Sequence, residues 1–252
     1  LTTIPGDGTF ICTLSFIFKD TTHSPVRYYA GTAGHCVLPA TAVATAGPGA
    51  NYNAAGVTVQ VCTTFCYVGG ELSGLIGSMQ NLGTVAYARQ TQASAAPFCV
   101  SGDIGNDFAL ITIDSARYAQ VKTSMAVWGG PYGQNSLEGT GSVLVHHGNG
   151  ITFGTTIPTK ARAGVSLNDG VVCSFQALIN VAGGDSGSAI SRGGTSNLVL
   201  GGEAALGTIT HAIIGAGTPS FGTTLYRSFE MASVDAGISM VLCDASTTLA
   251  TC

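Results

Sequence analysis

Ser186 lies in Gly183-Gly184-Asp185-Ser186-Gly187-Ser188, a glycine-rich turn that offers one hydroxyl among closely spaced backbone N–H groups. An aliphatic hydroxyl is a poor nucleophile at neutral pH and needs a neutral imidazole to take its proton as it attacks a carbonyl. His35, in Thr32-Ala33-Gly34-His35-Cys36, is the candidate base. Its ring must keep one tautomer and tolerate becoming positive, which calls for a carboxylate bonded to the far nitrogen. Asp107 fits, because it stands where an acid enters the apolar run Phe108-Ala109-Leu110-Ile111-Thr112-Ile113, a costly place for a charge unless it is paired. The glycines beside Ser186 have their own reason: a tetrahedral oxyanion must meet two backbone N–H groups at close range, where side chains would obstruct it.

Singly, each residue has a plainer reading: His35 a core histidine, Asp107 a strand-end cap, Ser186 a turn residue. Three such segments in the chain order His, Asp, Ser make the catalytic reading far the stronger. Asp103 is the nearest rival for the acid, but Ser101-Gly102-Asp103 reads as a turn. The remaining histidines weigh less. His146 and His147 are adjacent, so on a strand they point to opposite faces and cannot chelate one metal together. His23 precedes Ser24-Pro25 in a hairpin loop, and His211 falls in a stretch that flanks the expected substrate pocket, where a plain strand role is the simpler reading. No His/Cys/Glu spacing matches a structural zinc site, so neither a metal nor a cofactor is expected.

These groups have to be carried by strands. Short, β-branched segments bounded by Gly, Pro, Asn and Asp recur at Phe10 to Phe18, Arg27 to Thr32, Val57 to Cys62, Thr84 to Ala88, Phe108 to Ile113, Gly141 to His146, Ser174 to Ile179, Ala189 to Arg192, Leu198 to Ala204 and Gly222 to Tyr226. Helical spacing is convincing only from Ser228 to Ala236, where Phe229, Val234 and Ile238 would form an apolar face. No βαβ alternation or short repeat is present. The fold class is all-β.

Composition narrows the function. The 252 residues suit a single all-β domain, and 45% are hydrophobic. Nine Lys and Arg against 13 Asp and Glu give a formal charge of −4 and no basic stripe for phosphate backbones, which speaks against nucleic acid as a partner. Charged residues are only 9%, well under the usual quarter. Apolar runs are too short to cross a bilayer, so no membrane association is expected, and no targeting segment opens the chain at Leu1, which fits one already processed. Eight cysteines, an even number, point to an oxidising compartment and hence to a secreted, extracellular protein.

The three motifs together resemble the trypsin/chymotrypsin-like serine peptidases. The run Gly222-Thr223-Thr224-Leu225-Tyr226, a helix, and then Gly237-Ile238-Ser239-Met240-Val241 are most similar to the secreted microbial branch, the streptogrisin and α-lytic type. The resemblance covers most of the chain after Phe10. It implies two packed six-stranded antiparallel β-barrels with a C-terminal helix, the first over residues 1–115 with His35 and Asp107, the second over 116–252 with Ser186, and substrate in the cleft between them. It assigns the oxyanion donors to Gly184 and Ser186, and it pairs Cys12 with Cys36. Cys62 and Cys66 are close enough to close a small loop, Cys243 and Cys252 could tie down the tail, and Cys99 with Cys173 remain by elimination; eight cysteines allow 105 connectivities.

The departures from the family pattern are informative. The chain opens Leu1-Thr2-Thr3-Ile4-Pro5 rather than Ile-Val-Gly-Gly, so insertion of a new amino terminus beside Asp185 is not expected. Ser188 replaces the usual second glycine after the nucleophile. The resemblance places Asn180 at the base of the specificity pocket, with Val181 beside it, Ala204-Ala205-Leu206-Gly207 as the wall, and Thr223 and Thr224 on the far side. Asn180 is uncharged, so cleavage after uncharged side chains is expected unless Glu203 faces inward. The expected activity is therefore a monomeric serine endopeptidase acting on peptides or proteins. The alternatives are a catalytically silent protease-like binding module, and an esterase or acyltransferase using the same nucleophile.

Overall fold

A computed structural model describes residues 2–4, 8–38, 57–62, 67–68, 75–76, 78–90, 104–134, 139–150, 161–167, 173–196, 199–212 and 219–252. Its first nine strands are β1 (Thr2–Ile4), β2 (Gly8–Phe10), β3 (Ile17–Asp20), β4 (Arg27–Thr32), β5 (Thr58–Cys62), β6 (Tyr67–Val68), β7 (Leu75–Ile76), β8 (Met79–Arg89) and β9 (Phe108–Ile113). There follow β10 (Val143–His147), β11 (Ala161–Ser166), β12 (Ser174–Leu178), β13 (Ala189–Ser196), β14 (Val199–Ala212) and β15 (Ser220–Thr224), then the helix α1 (Leu225–Ala236) and β16 (Met240–Leu242). All pairings among these strands are antiparallel. One sheet runs β16-β3-β4-β9-β8-β5-β1-β2, a hairpin joins β6 and β7, and β10-β11-β12-β15-β14-β13 close into a six-stranded barrel. Among the described residues the all-β architecture with a C-terminal helix is thus the one expected.

Strand β9 explains why the acid sits where it does. Its alternate residues Ala109, Ile111 and Ile113 enter the core of the N-terminal sheet with Ala30, Val37 and Val85, while Phe108 and Leu110 face Phe18, Tyr29, Leu225 and Met231. A strand buried on both faces reads as a continuous apolar run. Asp107, at its head, is delivered to where this sheet meets β15, bonded to His35 and to Thr223. A third cluster, Leu144, Phe175, Ala177, Ile179, Ile190, Leu206 and Ile209, fills the closed barrel.

The helix starts three residues earlier than its periodicity suggests, because the Thr224 hydroxyl caps it by accepting the Arg227 N–H at 3.2 Å. It ends at Gly237, whose φ of 65° lets its own N–H and that of Ile238 turn back to the Ser233 and Ala232 carbonyls. Val234 is 77% exposed and is no part of the apolar face; Leu225, Met231 and Ala232 bury instead, and Ile238 buries from beyond the cap. Two further expectations change. Phe10 to Phe18 is not one strand, since residues 11–16 leave the ladder, and Ala161–Ser166 is an unforeseen barrel strand.

Cys12 and Cys36 are bridged, as the resemblance implied, and Cys243 is bridged to Cys252. Cys62 and Cys173 are also disulfide-bonded; Cys66 and Cys99 lie outside the described residues.

Candidate active site

At the end of β4 the chain turns through a short 3₁₀ segment, Gly34–Cys36, that carries His35. Only glycine fits at position 34: a Cβ there would stand 2.1 Å from the Arg89 carbonyl oxygen and 3.1 Å from Asp107 Oδ1. The carboxylate of Asp107, whose side chain is 0% exposed, accepts the His35 backbone N–H on Oδ1 at 3.0 Å and meets His35 Nδ1 with Oδ2 at 2.7 Å. A carboxylate accepts and does not donate, so Nδ1 carries the ring hydrogen and Nε2 keeps a basic lone pair. The ring itself is only partly covered, 29% exposed, so it remains approachable. From the other half of the chain, Thr223 donates its hydroxyl to the Asp107 carbonyl at 2.9 Å and faces the Asp107 N–H at 3.3 Å. Arg227 of α1 reaches the side-chain oxygen of the neighbouring Asn106 at 2.7 Å.

The Ser186 turn is built on positive-φ glycines, Gly184 at 97° and Gly187 at 88°. A Cβ on Gly187 would lie 2.1 Å from Thr32 Oγ1 and 2.3 Å from the Thr13 carbonyl, so the turn packs directly on the segments that lead to His35. Thr13 reinforces this contact, donating its N–H to the Ser186 carbonyl at 2.8 Å and its hydroxyl to the Gly184 carbonyl at 2.8 Å. Cys36 Sγ lies 3.8 Å from the same Ser186 carbonyl; bridged to Cys12, it has no proton to donate, so this is packing. The N–H groups of Asp185, Gly187 and Ser188 bond to Ala182, Ile209 and Asp185 carbonyls at 3.0, 2.7 and 2.9 Å. Among the described residues those of Gly184 and Ser186 have no acceptor, and neither has the Ser186 hydroxyl a partner. A nucleophile and its base commonly draw together only with substrate bound.

No protein-family model and no curated protein matches this sequence. Solved structures match its shape. The thermostable serine protease AL20 from an extremophilic microorganism superposes with a TM-score of 0.50 at 16% identity, covering 89% of this chain and 96% of its own. The chain has the trypsin-like serine protease fold. Protease A of Thermobifida fusca matches with a TM-score of 0.45 at 18% identity over 94% of this chain and 95% of its own, and a human heparin-binding protein with 0.45 at 15% over 85% and 87%. At such identities the likeness speaks of fold alone.

Within the trypsin-like fold, Asp185 is not left for an amino terminus. Its carboxylate accepts the Gly150 and Ala182 N–H groups, each at 2.7 Å, and pairs with Arg162 of β11, both side chains being almost wholly buried. Arg162 escaped the sequence reading because Ala161-Arg162-Ala163 carries no motif; its signal is only that cations are scarce in this chain. Thr13 and Arg227 were missed for the same reason, since each acts through the fold rather than a local pattern, and Thr223, expected on the far side of the pocket, bonds the Asp107 backbone.

The residues expected to line the pocket are buried to different degrees. Ala205 is fully buried among the residues that pack the helix, and Thr224 is buried and occupied as the helix cap. A Cβ on Gly207 would meet the Thr223 carbonyl at 2.2 Å, so that position abuts β15 and not open space. The part of β14 that flanks the nucleophile turn lies further along: the Ile209 carbonyl accepts from Gly187, its N–H donates to Ser188, and the His211 ring is centred 6.2 Å from that of His35. Asn180 is exposed, with its carbonyl facing His146 Nε2 at 3.1 Å, and Val181 packs partly against the barrel core. The Glu203 side chain and Asp103 lie outside the described residues. Cys12, His35 and Cys36 lie close enough together to suggest a metal group, but both sulfurs are committed to a disulfide.

Proposed function

We propose that this chain is a secreted, monomeric serine endopeptidase, a single peptidase domain that hydrolyses peptide bonds through an acyl-enzyme without a cofactor. The observation that carries this reading is the 2.7 Å pairing of His35 Nδ1 with the buried Asp107 carboxylate, beside a Ser186 turn packed on the same corner. His35 Nε2 takes the Ser186 hydroxyl proton as Oγ attacks the scissile carbonyl, and Asp107 stabilises the imidazolium that forms. The Gly184 and Ser186 N–H groups receive the oxyanion; losing one such donor costs on the order of 3 kcal/mol in a comparable enzyme. His35 then passes its proton to the departing amine, and water, deprotonated by the same ring, releases the acyl group and regenerates Ser186.

Cleavage follows uncharged side chains, since Asn180 offers no counter-charge to a buried cation. The test is a cleavage profile on a diverse peptide library with Ser186→Ala as control. Peptide-bond hydrolysis is expected from the wild type, and the variant should fall to a residual rate roughly 10³-fold above water. Hydrolysis of esters alone would favour the acyl-transfer alternative, no turnover the silent binding module, and a profile dominated by Arg or Lys would implicate Glu203.

A further inference from the structure

Beneath the nucleophile turn lies a fully buried imidazole that the proposed reaction does not use. His146 of β10 has Nε2 3.1 Å from the Asn180 carbonyl oxygen and Nδ1 3.4 Å from Ser188 Oγ. A carbonyl can only accept, so Nε2 bears the ring hydrogen and Nδ1 keeps its lone pair; the Ser188 hydroxyl is then the donor to Nδ1. Asn180 stands before the nucleophile and Ser188 after it, so one ring grips the loop on both sides of Ser186. Between the two grips, Asp185 is held by Gly150, Ala182 and Arg162, and the Trp128 indole N–H fixes the strand behind by donating to the His146 carbonyl at 2.8 Å. The glycine usual at position 188 could supply no hydroxyl to this arrangement.

We propose that His146 is a positioning residue for the peptidase reading above: its neutral Nε2–H tautomer, seated between Asn180 and Ser188, sets the geometry of the Gly184–Ser186 oxyanion turn. Oxyanion donors act only within about 2.7–3.1 Å of the developing charge, and a misplacement of about 1 Å costs roughly 100-fold in rate. With either grip lost, His146 bears on the loop from one side of Ser186 only. The ring must also stay uncharged. Burial is the strongest influence on it and pushes its pKa down to about 4, opposed by the Asp185 charge and the Asn180 carbonyl and assisted by Arg162 of β11 and by His147, its neighbour on β10.

The test compares wild type, Ser188→Ala and His146→Gln in their inactivation by a fluorophosphonate, separating the maximal rate kinact from the half-saturation constant KI, with Tm recorded alongside. A turn out of place loses kinact by roughly 10-fold or more while KI stays within about 3-fold, because the N–H donors act on the charge that develops during phosphonylation. Imidazole ¹⁵N NMR of the wild type should show His146 as the neutral Nε2–H tautomer at pH 6. Unchanged kinact in both variants, whatever their Tm, overturns the proposal, as does an Nδ1–H or charged ring at pH 6. Should His146→Gln fail to fold, Ser188→Ala and the tautomer decide. A wild type that is not labelled at all defeats the peptidase reading and this role with it, an outcome distinct from a labelled wild type that its variants equal.

Discussion

Asp107 and His35 are held largely by neutral groups: a backbone N–H, the Thr223 hydroxyl and the close backbone approach at Gly34. The loop around Ser186 rests on a buried ion pair, Asp185 with Arg162, and on a buried imidazole, His146. The first region places one charge, which the proposed chemistry requires, and surrounds it with donors. The second has no charge at its reacting atom and uses charge underneath to fix a shape. A buried pair gives orientation at the cost of desolvating two ions, so it is far more sensitive to loss of one partner than a set of neutral hydrogen bonds.

That contrast can be broken by mutation. Arg162→Met leaves Asp185 buried and unpaired and should cost about 3–5 kcal/mol in urea unfolding; a loss under about 1 kcal/mol would mean the ion pair is not what holds the loop. The next effect is on pH dependence. With its folded pKa depressed to about 4, His146 stays neutral while the unfolded chain takes up a proton near pH 6.5. Its contribution to stability is therefore complete above about pH 6.5 and is lost as pH falls towards about 4, on the order of 3 kcal/mol in all. His146→Gln should flatten that slope relative to wild type, and parallel stability–pH curves would refute the burial argument. Smallest is Thr223→Val, which removes the hydroxyl from the Asp107 carbonyl and should cost about 1 kcal/mol in the same unfolding assay. An effect equal to that of Arg162→Met would erase the distinction between the two regions.

The same contrast explains what the sequence discloses. The residues of the proposed triad stand in motifs because glycine at 34, 184 and 187 is demanded locally by close approach or positive φ. Strands Arg27–Thr32 and Phe108–Ile113 were legible to the residue, since both carry strong β-formers into the core. Residues 11–16 misled because polar residues within them bond to the other half of the chain: Thr13 gives its N–H to Ser186, and the Ser15 hydroxyl meets that of Thr208 at 2.9 Å. Strand Ala161–Ser166 was hidden by its alanines and glycine, whose weak strand propensity is overridden by pairing with β10. The register of β14 was not legible, because the shifts between Ile190 and Ser191 and between Ile209 and His211 are irregularities that no local pattern announces. Supports such as Arg162, His146 and Thr223 are single residues joined across long stretches of chain.

Activation of Ser186 by the Asp107–His35 pair is tested most directly by mapping the adduct formed with a fluorophosphonate. One adduct per chain is expected, on Ser186, formed at a rate that drops by orders of magnitude in Asp107→Asn, where the equivalent change in a trypsin-like enzyme lowers kcat by roughly 10⁴. An adduct on any other residue, or labelling of Ser186 at an undiminished rate in Asp107→Asn, would contradict it.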